Sequence, residues 1–229
     1  KKGYKAADAE NIKIEAELPD KVSNYTIYPI YDRSSAITSP QDQSKIYRNT
    51  IGGDKWVTAG QWVRYSFECQ ESGLYQIEIR FCQDVLKGMY SSRSLRINGE
   101  YPFEEAKNCQ FGYDNSWQNA ALNDGNYDSF AFYFEKGKTY DLDIEVTLGN
   151  LSDVVRQVSS VIDHLNDDYM DILELAGSEP DEYRDYGFAR IMPDVVRDLS
   201  LQSSILYQLV DFITEINGIK SDNTSPLEQ

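Results

Sequence analysis

The sequence is short of the residues that do chemistry. Its 229 residues hold one histidine, His164, and three cysteines. A single imidazole on the flank of a helix-like segment, with no serine or cysteine in a recognisable nucleophile setting, argues against nucleophilic and general-base catalysis. Acidic residues are plentiful, yet nothing in their spacing sets two together for glycoside hydrolysis. Without a CxxC pair, and with one histidine, there is no zinc site. If Cys69 and Cys82 close the two strands of one antiparallel hairpin, they lie at its opposite ends. That is further apart than the roughly 7 Å between Cα atoms that a disulfide tolerates. Both are expected free, with Cys109 the odd one out.

Positive charge is also scarce. Lys and Arg number 22 against 38 Asp and Glu, a formal charge of −16, which repels nucleic acid and anionic membrane surfaces and keeps the chain soluble. No apolar run is long enough to span a bilayer. The chain opens on Lys1-Lys2-Gly3-Tyr4 without a signal peptide or lipobox cysteine, so an exported protein is expected here in a mature or trimmed form.

What is present is a core. Apolar residues make up 41% and aromatic residues 13% of the chain, ample for a packed interior. Gln61–Cys82 is the most legible β-stretch: Val63, Tyr65 and Phe67 alternate with Arg64, Ser66 and Glu68, and beyond a turn at 70–73 so do Tyr75, Ile77, Ile79 and Phe81. A strand is expected at 11–18, where Ile12, Ile14, Ala16 and Leu18 alternate with Lys13, Glu15 and Glu17. Residues 20–60 read as loop-rich, and 83–92 as a long connection. Leu95 and Ile97 precede Asn98-Gly99, a strong hairpin-turn signal. The polar stretch 104–126 reads as a long loop, the kind more often functional than incidental. Phe130, Phe132 and Phe134, then Tyr140, Leu142, Ile144, Val146 and Leu148, mark two further strands. Alternating strands with no helical repeat between them are the signature of an antiparallel sandwich.

At Gly149 the period changes to three and four. Leu151 to Ala176 predicts a helix of about seven turns and about 40 Å, with Ser152 available as a cap and Gly177 at its end. A second helix start is expected at Pro180. The periodic run Ile191–Ile216, with Pro193 in its first turn, closes at Gly218. Two such helices form an antiparallel pair, with Leu165 and Leu206 expected in its core. The fold class is therefore mainly β with an α extension: a β-sandwich at 1–149, a helical hairpin at 150–218, and a linker or disordered tail at 219–229.

Several motifs go further. Ile14-Glu15-Ala16-Glu17, Gly60 to Tyr65, Ser72 to Arg80, Leu95 to Gly99 and Phe134 to Lys138 resemble the galactose-binding-like jelly roll of carbohydrate-binding modules of families six and thirty-five. Pro102 to Ala106, Asn115-Ser116-Trp117, Val146 to Asp153, Leu165 to Tyr169 and Pro180 to Tyr186 resemble the amino-terminal region of large bacterial extracellular solute-binding lipoproteins of sugar ABC importers. The resemblance implies a non-enzymatic module, extracellular and anchored at the cell surface in the full-length protein. Its partners would be an oligosaccharide or sugar, the remainder of a solute-binding protein and an ABC permease.

In the family pattern Glu15 and Glu17 correspond to first-strand carboxylates that help hold a structural calcium, an ion that requires hard oxygen ligands. This chain departs from the pattern, turning helical at Leu151 where those modules return with a last strand bearing an Asp ligand. Sugar binding needs flat rings beside amides and carboxylates. Tyr31, Tyr90, Tyr113 and Trp117 are placed in loops, with Asp114, Asn115 and Asn119 close by. The competing role for Trp117 and Phe111 is to plug the sandwich or seat the helices. Trp56 and Trp62 are assigned to packing, and Arg184 and Asp185 to pinning the helix link. A structural spacer or protein-interaction module without sugar affinity is the alternative function.

Overall fold

The computed structural model describes residues 3–8, 10–34, 47–87, 89–125 and 128–217. The chain divides into two compact units, Lys1–Gly149 and Asn150–Gln229.

The first unit is an antiparallel β-sandwich. Its strands are β1 (Lys21–Val22), β2 (Trp62–Glu68), β3 (Gly73–Tyr75), β4 (Glu78–Gln83), β5 (Tyr90–Ile97), β6 (Cys109–Gly112), β7 (Asp114–Ala121), β8 (Phe132–Phe134) and β9 (Thr139–Thr147). One sheet runs β1-β2-β9-β5-β6, and two short ladders, β3-β8 and β4-β7, carry the remaining strands. Alternation decides which side chains enter the interior. Phe67, Leu95, Ile97, Leu142 and Ile144 from the large sheet meet Tyr75, Ile79, Phe81, Phe132 and Phe134 from the ladders. Leu95 is 1% exposed. Phe81 meets Phe111 edge to face with ring centres 4.8 Å apart, and Phe132 stacks on Phe134 at 6.3 Å.

On its outer face the large sheet carries an ion pair. The Arg64 guanidinium donates to both carboxylate oxygens of buried Asp143, at 2.5 and 2.7 Å, and lies 3.2 Å from Asp141. Across the sheet Arg96 pairs with Glu145. Asn98 (φ 54°) and Gly99 (φ 85°) form the tight turn that follows β5, closed by reciprocal backbone bonds between Ile97 and Glu100.

Several expectations are corrected. The stretch 61–82 is not one hairpin: β2 has both edges occupied, by β1 and β9. The chain after Cys69 crosses to the other layer, where 73–83 splits between β3, paired to β8, and β4, paired to β7. The alternation was read on the right faces, but not the partner. The three cysteines are free, although Cys69 follows the end of β2 and Cys82 lies in β4, rather than at the two ends of one hairpin. Residues 11–15 form no strand, and the chain turns at Ala16–Glu17, with the Leu18 amide bonded to the Glu15 carbonyl. The available edge of β2 is taken by Lys21–Val22 instead. The polar stretch 104–126 is not one loop but mostly β6 and β7. β5 begins at Tyr90, inside the expected connection.

The second unit contains α1 (Ser152–Ala176), α2 (Phe188–Ile191) and α3 (Pro193–Asn217). Val154 packs on Leu209 and Ile213, with Leu151, Val158 and Ile205 around them. His164 lies 3.3 Å from Asp198, so α1 and α3 run antiparallel. Ser152 is the first helical residue, not the cap. Leu151 precedes it and makes no side-chain capping bond. Gly177, at φ 80°, ends α1 with its amide on the Leu173 carbonyl at 2.8 Å. No helix starts at Pro180. Tyr186 stacks on Phe188, and the Arg184 guanidinium covers the Tyr186 ring at 4.8 Å, so the link 178–187 is held by side chains. Leu165 is no core residue, being 37% exposed, and Leu206 is half-buried. A two-helix pair closes only a narrow seam. The tail 219–229 lies outside the described residues.

Candidate functional site

The β4-β7 ladder has an inner and an outer face. Register pairs Ile79 with Ala120 and Phe81 with Gln118, while Arg80 opposes Asn119. Ile79 and Phe81 turn into the core, so the period of two along each strand puts Arg80, Trp117 and Asn119 on the opposite face. Trp117 is half-buried there.

The indole is held in place. Its Nε1–H donates to Asp32 Oδ2 at 3.1 Å and to Ser34 Oγ at 2.8 Å. Asp32 is itself positioned by Asn49, which accepts from the Asp32 amide at 2.8 Å and donates to its carbonyl at 3.0 Å. Ser34 closes a local turn onto the Asp32 carboxylate. The Arg80 guanidinium lies over the indole, 5.4 Å from the ring centre, as Arg33 lies over Tyr31 at 5.0 Å. These are cation–π distances.

Of the residues singled out from sequence, the structure gathers most on one strand and its neighbour. Tyr113 joins β6 to β7 and donates to Asn115 Oδ1 at 2.6 Å. Asp114 accepts from the amide and hydroxyl of Ser116, bonds that hold its carboxyl below the usual range. Tyr31 borders the turn that grips Trp117. Asp114 and Asp32 both lie near the Cys82 thiol, which burial first, then Asp84, Asp32 and Asp114, push upward. Tyr90 does not fit. It is 9% exposed, opposite Gly112 in the large sheet, and presents no ring face. Asp114, Asn115, Trp117 and Asn119 sit on a strand rather than in a loop. Arg80, Asp32, Ser34 and Asn49 carry no local signal: Asp32 and Ser34 reach Trp117 across 85 and 83 positions, Arg80 meets it across the ladder, and Asn49 acts through Asp32.

Glu15 and Glu17 lie at the turn before β1, near enough for the Glu15 charge to act on Glu17. Glu15 pairs with Lys13 at 2.6 Å. Glu17 is buried, and desolvation first, with Glu15 adding to it against the pull of a backbone hydrogen bond, raises its carboxyl above the ordinary value. Among the described residues no group of three or more His, Cys, Asp or Glu is arranged to hold a metal ion. Beside Glu17, Tyr65 donates to the Ala16 carbonyl at 2.7 Å, and its burial raises the phenol above its ordinary range. Trp56 takes the packing role expected of it, beside the cluster of Ile27, Val63 and Tyr65.

In the helical unit a cleft is lined by His164, Asp168, Asp171, Asp194, Asp198 and Leu201, among others. Asp168 is buried there with its Oδ2 unpartnered. Its carboxyl is raised by burial first, then by Asp198 and Asp171, against the opposing pull of His164.

Residues 153–228 match the family model of the bacterial solute-binding protein 4-helix bundle domain. The match lies within the helical unit and covers about a third of the chain. Among solved structures, a Paenibacillus sp. cycloisomaltooligosaccharide glucanotransferase in complex with cycloisomaltoheptaose is similar at 16% identity and a TM-score of 0.42, over 62% of this chain and 17% of that one. A family 35 carbohydrate-binding module from Clostridium thermocellum is similar at 12% identity and 0.36, over 54% and 80%. A Podospora anserina GH26-CBM35 β-(1,4)-mannanase is similar at 13% and 0.39, over 59% and 24%. The chain therefore spans less than a fifth of the first of these. No curated protein matches it.

Proposed function

We propose that this chain is the non-catalytic, carbohydrate-binding-like part of an extracellular solute-binding protein serving an ABC-type sugar importer. In the full-length protein it would be anchored at the cell surface and work with the rest of that protein and its permease. The observation that carries this reading is the match of residues 153–228 to a solute-binding protein domain. The sugar-binding part rests on Trp117. An indole fixed through its N–H, on the outer face of a ladder and flanked by the amides of Asn115 and Asn119, supplies the flat apolar surface and polar rim that a sugar ring uses. Calorimetric titration with a panel of oligosaccharides tests it. Measurable heat for at least one sugar is expected, lost in Trp117→Ala and kept in Trp117→Phe. A panel without binding, or an alanine variant that binds as well as the parent, overturns the sugar role.

A second reading, a spacer without sugar affinity, draws on two specific observations. The Trp117 N–H is already spent on Asp32 and Ser34, and Tyr90 is buried. A Trp117→Ala variant that melts earlier while no sugar binds either protein would favour the spacer.

A further inference from the structure

We propose that the cleft between α1 and α3 binds an alkylammonium group, with the Asp168 carboxylate as its anion and Val195 and Leu201 as the wall for its carbon chain. The site follows from spacing. His164, Asp168 and Asp171 stand four and three apart on α1, and Asp194, Asp198 and Leu201 four and three apart on α3, so each set shares one helix face. The antiparallel pair joins the two faces at His164 and Asp198. The cleft they line has a volume of about 500 Å³, within the range of small-molecule sites.

The acids in it are not equivalent. Asp198 is satisfied: Gln202, itself 3% exposed, donates to both of its oxygens at 3.1 and 3.2 Å, and His164 Nδ1 lies 3.3 Å away. Asp194 meets Arg197 at 2.9 Å. Asp168 has neither kind of support. It is 7% exposed, its Oδ2 has no hydrogen-bond partner, and the cations of the cleft are turned to its neighbours, His164 to Asp198 and Arg197 to Asp194. A carboxylate taken out of water needs a cation or donors to offset its lost hydration. The surroundings do the reverse: burial first, then Asp198 and Asp171, with Asp167 adding, push its carboxyl upward against the pull of His164. What the site lacks is one positive charge beside Asp168.

Two observations choose the cation. Among the described residues no group of three or more His, Cys, Asp or Glu is arranged for a metal ion, so the shell of oxygens that calcium or magnesium requires is missing. An ammonium group needs less, being a compact charge with three N–H donors that a single carboxylate holds. The apolar lining then has a use. Val195 and Leu201 border the same cleft as Asp168, and Leu201 is 54% exposed. Along such a surface the methylenes of an amine lie while its head reaches the acid. A free alkylamine and the side chain of a lysine present this same chemistry. The proposal stands apart from the sugar reading.

The chain has a single histidine, and it lines the cleft, so one set of imidazole proton resonances reports on the site. The 229-residue chain is titrated with butylammonium chloride, and separately with Nα-acetyl-lysine methylamide, at fixed pH and ionic strength. A saturable shift of the His164 resonances at millimolar concentration is expected, together with a raised melting temperature. Tetramethylammonium chloride, which carries the charge without an N–H, should do neither. Asp168→Asn should weaken the response at least about tenfold while melting no lower than the parent, which shows that the variant is folded. Asp211→Asn removes the same charge from an exposed position of α3 outside the cleft and should respond as the parent does. Equal binding of the two probes assigns the site to a free amine, and binding of the lysine derivative alone assigns it to a lysine of a partner protein. No shift with either probe overturns the proposal. So does an equal response to tetramethylammonium, or one unchanged in Asp168→Asn, since either reduces the effect to the general attraction of an acidic chain for cations.

Discussion

At the scale of single residues, the sandwich is governed by a few contacts that can be removed one at a time. Leu95 sits in the centre of the core, and Leu95→Ala is expected to cost about 2–5 kcal/mol, read as a lowered denaturant midpoint at constant slope. Trp117→Phe keeps an aromatic surface but removes two hydrogen bonds, an expected loss of about 1–2 kcal/mol. Gly73 is under a different constraint. A methyl group there would lie 2.6–2.8 Å from the backbone and Cβ of Ala7, whose amide bonds to the Leu74 carbonyl at 3.1 Å. Gly73→Ala should therefore detach the amino-terminal segment from β3, seen as faster amide exchange at Ala7 and Leu74. Asp168 offers a pH test. Burial raises its carboxyl, so the native state holds that proton more tightly than the unfolded chain. Stability then falls as pH rises from the ordinary carboxylate pKa through the raised one. Asp168→Asn removes that fall: the variant should melt higher than the parent at neutral pH and lose its advantage in acid, where Asp168 is protonated in both states. Equal melting-temperature differences at both pH values would rule this out.

Among elements, the pattern of two and the pattern of three and four told the layers apart well. Val63, Tyr65, Leu142 and Val146 are buried as their alternation required, and the change of period at Gly149 lies beside the start of α1. What the sequence did not carry was pairing. Each strand shows which face is apolar, but hydrogen-bonding edges are alike in every strand, so β2 could not announce that β9, more than 70 positions on, would be its neighbour. The stretch 109–121 was misread for a related reason. In β7 the outer positions hold Asn115, Trp117 and Asn119, while Gln118 stands on the inward parity opposite Phe81, so polar residues fall on both faces and the alternation that marks a half-buried strand is lost. The candidate site was half legible: its aromatic and amide residues were, its arginine and the Asp32 turn were not. In the helical unit the stripe predicted the helices but overstated their burial. Leu209→Ala is expected to cost about 2–5 kcal/mol, while Leu165→Ala, at an exposed position of the isolated hairpin, should fall within about 1 kcal/mol, both measured by chemical denaturation monitored at 222 nm.

For the molecule as a whole, the order of strands in the large sheet sets a condition in time. β2 and β5 never touch each other; each is bonded to β9, which lies between them. A ribosome that has delivered Trp62–Glu68 and Tyr90–Ile97 has made two pieces of a sheet with a gap where the middle belongs, and that gap is filled only when Thr139–Thr147 emerges. Strands so distant in sequence close slowly. The large sheet therefore closes late: the β1–β2, β5–β6, β3–β8 and β4–β7 pairings all lie before residue 139, and a chain ending there keeps pieces of the sandwich without the strand that joins them.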